Sequence, residues 1–392
     1  MEKNDNIPFF LPSIGKEEEE AVLRIMRSGW LTTGQECLQF EKEFTQKVHA
    51  QHSLAVNSAT SGLQLAMHAC DIKKGTKIIT SPYTFVSTAT AAIHAGAEVE
   101  YVDIENDTYS IDADEIEKKL AKDSSIRAIV PIHIAGNICN MQKIQAIAKH
   151  YDVKVIEDAA HAFPAKTQNG YAGTLGDIGV FSFYATKTIT TAEGGMICTN
   201  NDALAQRMSL MRNHGIDRNV WNRYNSDNAS WEYDVVSAGY KYNLPDILAA
   251  MGREQLKKAD TLFYKRKKIA EYYNEAFKSY DFLQCPPDGD GNAWHLYLLR
   301  IRPEKLSVSR NEFAQSLQKN GINISVHFIP HYEFTYFKNR YNLKPDDFAN
   351  TKKQFESTVS IPLWPDMSMD MAERVVKSIV KIGKNHYNGN VS

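Results

Sequence analysis

The chain has 392 residues and a formal net charge of −2, with 43% hydrophobic, 10% aromatic and 23% charged residues. This is ordinary globular composition, long enough for one large and one smaller domain, and the charge balance excludes an electrostatic reader of nucleic acid or anionic membrane. No apolar run approaches the ~18 residues that span a bilayer, and Met1–Asn6 lacks the apolar core of a signal peptide.

The five cysteines, at 37, 70, 139, 198 and 285, are scattered and free of CxxC spacing. They predict reduced thiols in a cytoplasmic protein, with neither a disulfide frame nor a zinc site. In chain order, short apolar β-branched runs predict strands at Ser53–Asn57, Lys77–Ser81, Val99–Asp103, Ile126–His133, Val153–Asp158, Gly179–Phe183 and Met196–Thr199. Helical patterns lie between most of them, at Ser61–Cys70, Val86–His94, Asp112–Ala121, Met141–His150 and Asp202–Asn213. Strands alternating with helices mean βαβ units, so the expected fold is an α/β domain on a seven-stranded, mostly parallel sheet.

The stretch Trp221–Tyr233 reads as a loop, with a binding lid and a plain surface loop as equal alternatives. From Asn243, a capping Asn, then Pro245 and Asp246, announce a long helix toward Phe277 with a possible break. The expected division is 1–245 as a large domain with an N-terminal arm, 246–280 as a connecting helix and 281–392 as a small α+β domain. Within the last, strands are expected at His295–Ile301 and Ile324–Phe328, helices at Arg310–Lys319 and Met369–Ile382, and Val359–Pro362 as a return onto the large domain.

The chemistry centres on Lys187. A lysine after a strand is ordinarily a solvated charge. Here an apolar strand, Phe181–Phe183, delivers it into a turn of threonines followed by Gly194 and Gly195. In open α/β sheets, ligands bind outside the carboxyl ends of the strands, where Asp158 also falls. A lysine that can form a Schiff base with an aldehyde, opposite a carboxylate that can keep a pyridine nitrogen protonated, implies pyridoxal 5′-phosphate. Glu157 would face the other side of its strand and is read as structural. His161, three residues after Asp158, could reach the ring's 3-hydroxyl. The run Asn57–Gly62 opens a helix with small residues, an anion site in which Thr60 and Ser61 could equally be helix caps. Ser182 is a second hydroxyl for a phosphate. Of the aromatics in Pro82–Phe85, Phe85 is favoured to stack on the cofactor ring, with core packing as the even alternative.

Together these motifs resemble the DegT/StrS-type nucleotide-sugar aminotransferases, a branch of the fold-type I, aspartate-aminotransferase-like enzymes. The resemblance runs from Ser28–Gly34 through Ser58–Leu63, Pro82–Phe85, Pro131–Gly136, Glu157–Ala162 and Phe181–Gly195 to Gly239–Asn243, Val326–Phe328 and Ile361–Leu363. It implies that Lys187 is the Schiff-base lysine, Asp158 the pyridinium partner and His161 its neighbour. It also implies that Ala59, Thr60 and Ser182 contact the phosphate, that Phe85 stacks, and that Gly29, Trp30, Leu31, Thr32 and His327 lie near the substrate. Such enzymes are homodimers with shared sites. Where many members carry Gly-x-Asn-x-Arg, this chain reads Gly239-Tyr240-Lys241-Tyr242-Asn243, so either Lys241 or Asn243 would meet the phosphate. The run Lys187–Gly195 is most similar to members that aminate C4 of UDP-linked keto sugars, with glutamate as donor. The alternatives are a 3-aminotransferase, a sugar dehydratase, which would carry histidine at position 187, and a non-catalytic regulator.

Overall fold

The computed structural model describes residues 6–217, 232–289 and 291–388. Two helices, α1 (Lys16–Ser28) and α2 (Gln35–Val48), precede the first strand. There follow β1 (His52–Val56), α3 (Ala59–Ala69), β2 (Lys77–Thr80), α4 (Ser87–His94), β3 (Glu98–Tyr101), α5 (Ala113–Leu120), β4 (Ile126–Ile129), α6 (Met141–Tyr151) and β5 (Lys154–Asp158). A short hairpin, β6 (Lys166–Thr167) and β7 (Gly170–Tyr171), leads to β8 (Ile178–Ser182), β9 (Gly195–Thr199) and α7 (Asp202–Met211).

All seven expected strands form one sheet in the order β1-β9-β8-β5-β4-β2-β3. Only β9 runs antiparallel to its neighbours β1 and β8. Side chains alternate across this sheet with period two. Along β8, Val180 packs with Leu63 and Met67 of α3, whereas Phe181 packs with Phe40 and Phe44 of α2 on the other face. Both faces are therefore buried under helices, which is why these strands read as near-continuous apolar runs. β4 stops at Ile129 rather than His133; beyond it only Ile132 keeps a bridge, to Asp158.

The connecting helix α8 (Asp246–Phe277) runs to Phe277 as expected and is continuous over 32 residues, without a break. It has no interior proline, and Leu256, Leu262, Ile269, Tyr273 and Phe277 keep one side buried along its length. Asn243 does not cap it. Pro245 occupies that position, and the Asn243 amide donates instead to Thr33 Oγ1 at 2.6 Å. Asp246 turns outward from its own helix and accepts the backbone N–H groups of Gly34, Glu36 and Cys37 at 2.7, 3.2 and 3.0 Å. The first residue of α8 thus caps α2, whose own N-cap is a glycine.

Beyond α8, β10 (Leu283–Gln284), β11 (Tyr297–Ile301) and β12 (Thr358–Ile361) make a second, antiparallel sheet, with α9 (Arg310–Lys319), α10 (Thr335–Tyr341), α11 (Ala349–Ser357) and α12 (Met369–Asn385). The expected strand at Ile324–Phe328 is reduced to one bridge, Ser325 to Ser360, because His327 and Phe328 turn toward the cavity between the two sheets. Val359–Ile361 is a strand of this small sheet rather than a return segment, although Ile361 and Leu363 do reach that cavity. The N-terminal segment is pinned here too, through Ile7 beside Ile322. Most of the Trp221–Tyr233 loop, Trp221 to Trp231, lies outside the described residues. Among the described residues no helix is long and apolar enough to cross a membrane. All five cysteines are unpaired.

Candidate active site

The carboxyl ends of β1, β2, β5 and β8 point to one edge of the large sheet. There they border a cavity of about 460 Å³ closed from the other side by residues around β11 and β12. Its lining includes Ala59, Thr60, Phe85, Asp158, His161, Ser182, Lys187 and His327, eight of the residues singled out from the sequence. A larger polar groove of about 660 Å³, bounded by Arg300, Lys352 and Glu356, contains none of them.

Lys187 sits in a turn fastened to Phe183, whose N–H donates to Gly194 O and whose carbonyl accepts from Thr191 N, both at 2.9 Å. Part of the residue is exposed to the cavity, but its amine end is desolvated. Burial lowers the amine to about 8 against the opposing pull of Asp158. No hydrogen bond or ion pair engages this amine among the described residues. A lysine whose amine is lowered to about 8 and unpartnered in a cavity has a larger neutral, nucleophilic fraction at ordinary pH than a solvated one.

Asp158 ends β5 and is 5% exposed. Thr88 Oγ1 donates to its Oδ2 at 2.7 Å, and Ala160 N to its Oδ1 at 3.2 Å. Burial still raises its pKa, outweighing these hydrogen bonds and the charge of Lys187, so the carboxylate is only partly compensated. Glu157, on the opposite face, is fully buried. It accepts the amides of Gly173, Leu175 and Gly176 and pairs with His133 Nε2 at 2.8 Å, the structural part expected of it.

The anion cradle lies at the start of α3. Ser58, not Thr60 or Ser61, is the cap, its hydroxyl accepting Ser61 N at 3.1 Å. The amides of Ala59 and Thr60 consequently find no acceptor among the described residues and stand free at a helix N-terminus. Gly195 lets β9 pass close behind: a β-carbon there would sit 2.8 Å from Ala59 N and 2.9 Å from Ser58 C. Free amides, the Ser182 hydroxyl, an unpartnered lysine and an under-compensated carboxylate on the two sides of one cavity fit a phosphorylated pyridine aldehyde.

His161 is wedged between Phe328, stacked at 5.4 Å, and His295 at 4.4 Å. Burial, with Lys187 adding to it, holds His161 and His295 well below the ordinary histidine value, and burial likewise takes His327 down to about 4. His327 Nδ1 meets Ser360 Oγ at 2.9 Å, and its ring is stacked by Phe9. Phe85 is 58% exposed and free to meet a ring, whereas Tyr83 is buried with its hydroxyl on the His327 carbonyl at 2.7 Å.

Six sequence-derived residues do not reach the cavity of their own chain. Gly29 ends α1 with φ 75°, and Trp30, Leu31 and Thr32 follow it on the surface side. Lys241 and Asn243 lie beside the end of β1, where Asn57 N donates to the Tyr242 carbonyl at 2.8 Å and Val56 bridges Asn243. Conversely, Thr88, His295, Phe9 and Phe10 belong to the site and were not read from the sequence. Thr88 gave no signal because α4 places it by its angle to β5. His295 looked like the first residue of a strand.

The model of the DegT/DnrJ/EryC1/StrS aminotransferase family matches residues 12–380. The spore coat polysaccharide biosynthesis protein SpsC of Bacillus subtilis is 41% identical over 387 residues, which are 98% of this chain and 99% of SpsC. Helicobacter pylori PseC, an aminotransferase involved in the biosynthesis of pseudoaminic acid, superposes with a TM-score of 0.89 at 29% identity, over 97% of this chain and 100% of PseC. Streptococcus pneumoniae Spr1654 superposes in its pyridoxamine-phosphate form with a TM-score of 0.90 at 27% identity, over 97% and 100% of the two chains. Its pyridoxal-phosphate form gives 0.88 at 26%, over 97% and 99%. The chain belongs to the DegT/DnrJ/EryC1/StrS aminotransferase family and is a pyridoxal-phosphate-dependent aminotransferase.

Proposed function

We propose that this enzyme moves an amino group from glutamate to the 4-keto carbon of a UDP-linked deoxy-sugar, for the synthesis of a surface glycan. The observation that carries the amine chemistry is the desolvated, unpartnered Lys187 amine facing buried Asp158. The sugar is supported by the Lys187–Gly195 run, by Lys241–Asn243, and by the likeness to SpsC and PseC, whose names tie them to polysaccharide and amino-sugar synthesis.

On this reading Lys187 would hold the cofactor covalently, Asp158 would face its ring nitrogen, His161 its ring hydroxyl and Phe85 its flat face. The amides of Ala59 and Thr60, with Ser182, would hold its phosphate. Bound there, pyridoxal phosphate supplies an electrophilic carbon and an electron sink. The chain's own contribution is then positional and acid–base. Burial raises the Asp158 pKa, so a cation facing it stabilises its ionised form, and Asp158 in turn favours a protonated ring. Lys187, once displaced by the incoming donor amine, is a base with a near-neutral pKa, able to take the donor's α-proton and return it on the far side of the same transfer. The neutral histidines 161, 295 and 327 leave that amine the sole titrating cation in the lining. Phe9, Phe10 and Phe328 shield it from water.

Two anionic substrates need more positive charge than this. Among the described residues, Lys187 is the one lysine or arginine in the cavity lining. A homodimer in which a second copy brings Lys241 or Asn243 to the phosphate, and the Gly29–Thr32 turn to the nucleotide sugar, would supply what a single chain lacks. The unpaired thiols suit a cytoplasmic setting.

The deciding experiment incubates the holoenzyme and glutamate with UDP- and dTDP-linked 4-keto and 3-keto sugars and reads the products by mass and NMR. Nitrogen at C4 of a UDP-sugar is the expected result. Nitrogen at C3, or turnover of dTDP-sugars alone, would overturn the assignment.

A further inference from the structure

We infer that His295 is a positioning residue that holds the His161 ring with its Nε2–H turned into the cavity. The carrying observation is a three-way junction at Ala135. The Ala135 N–H donates to His161 Nδ1 at 3.2 Å, and the Ala135 carbonyl accepts the N–H of His295 at 3.0 Å. An Nδ1 that accepts is unprotonated, so a neutral His161 carries its proton on Nε2. That nitrogen has no protein partner among the described residues, while its ring lines the cavity. His161 therefore offers one fixed donor to whatever acceptor occupies the site.

His295 is what keeps the ring there. It covers one side of His161 at 4.4 Å and 57°, while Phe328 stacks on the other. The Nδ1 of His295 is sealed in the interior without a hydrogen-bond partner, so its hold on His161 is packing rather than a hydrogen bond. Its own backbone is fixed twice, by Ala135 and by Arg266 of α8, whose Nη1 lies 3.4 Å from the His295 carbonyl. The same guanidinium reaches the Leu363 carbonyl at 3.2 Å and the Lys187 carbonyl at 3.4 Å. The charged and titratable groups around the pair are Lys187 from the β8–β9 turn, Asp158 at the end of β5, Arg266 from α8 and His327 from the segment before β12. Lys187 disfavours a second proton on either imidazole, and Arg266 does so on His295, which preserves the donor–acceptor assignment of His161.

The inference rests on the reading of this cavity as the cofactor site and not on the identity of the sugar. Its test has two arms. In holoenzyme with 15N-labelled histidine, the His161 resonances should report a neutral ring protonated at Nε2 throughout the neutral range. Protonation at Nδ1 would overturn the assignment. In the second arm the visible cofactor band is titrated with pH. A donor to the ring oxygen favours its anionic form, so His295→Ala should raise the midpoint by about half a unit or more. His295→Phe, which restores a flat ring, should return it to the wild-type position. An unmoved midpoint in His295→Ala, or a His295→Phe midpoint displaced as far as that of Ala, would sink the positioning role. Should His295→Ala not fold, a His295→Phe midpoint displaced by about half a unit or more from wild type overturns the positioning role, and one at the wild-type position supports it. A protein that binds pyridoxal phosphate without any visible band would instead refute the cofactor reading itself.

Discussion

Thr88 and Asp158 come from different elements, α4 and β5, and meet across 2.7 Å inside the protein. The threonine fixes one carboxylate oxygen while Ala160 N takes the other, so the carboxylate cannot rotate away from the cavity. Asp158→Ala should retain the cofactor through Lys187 but lose roughly a thousandfold in kcat, since a charge at the ring nitrogen is gone. Thr88→Val should cost about tenfold, the scale of one hydrogen bond to a charged group, and Thr88→Ser should recover it. Equal kcat for Thr88→Val and wild type would show that Asp158 needs no such support.

Lys187→Ala should abolish transamination and the visible band together. Lys187→Arg should do the same, because a guanidinium remains protonated and cannot serve as nucleophile or base. The readouts are absorbance of the purified protein and its bleaching by glutamate. A wild-type protein that is coloured yet unaffected by glutamate would point to another donor.

Capture of pyridoxal phosphate by the apoenzyme should quicken with pH and level off above about 8. Only the neutral amine condenses, and roughly a tenth of it is neutral one unit below that pKa. Stability follows the same proton. Below pH 8 the folded and unfolded chains both carry it, and the full cost of burying a cation applies. Between about 8 and the ordinary 10.5 only the unfolded chain does, so apoenzyme stability should rise through this window. The Lys187→Met apoenzyme should lack that rise. A capture rate still climbing at pH 10, or an identical stability profile in Lys187→Met, would contradict the lowered amine.

Gly195→Val should weaken cofactor binding by at least about tenfold without removing the lysine chemistry. A side chain there meets the backbone of Ser58 and Ala59, which must shift, and the two free amides move with it. Inorganic phosphate should also lose its protection of the apoenzyme against pyridoxal phosphate. Unaltered affinities would mean that the α3 amides are not the anion site.

The large sheet was legible because most of its strands are buried on both faces and written as apolar runs, and because most of its connections are helices of ordinary length. Lys187 and Asp158 were legible because they follow two such runs directly, and strand direction sends both to one edge. What escaped the sequence depends on angles between distant elements. Thr88 reaches Asp158 only through the packing of α4. His295 reaches His161 only because β11 starts where the Ala135 turn ends. The capping of α2 was hidden for a related reason: its acceptor, Asp246, lies 210 residues away from Glu36.

That long-range cap gives a stability prediction separate from catalysis. Asp246 is 3% exposed and accepts three backbone amides at the start of α2, two of them at 3.0 Å or less. Helix N-termini leave amides without internal partners, and a glycine N-cap has no side chain to offer them. In Asp246→Ala those amides lose their acceptor in a buried setting, which costs about 2–4 kcal/mol. Asp246→Asn keeps one acceptor oxygen and should cost about half as much. Because α2 lies between α8 and the Phe181 face of the sheet, the loss should appear as a lower urea midpoint with an unchanged slope. Should Asp246→Ala unfold at the wild-type midpoint, water must satisfy these amides, and the contact between α8 and the α2 terminus would be incidental to stability.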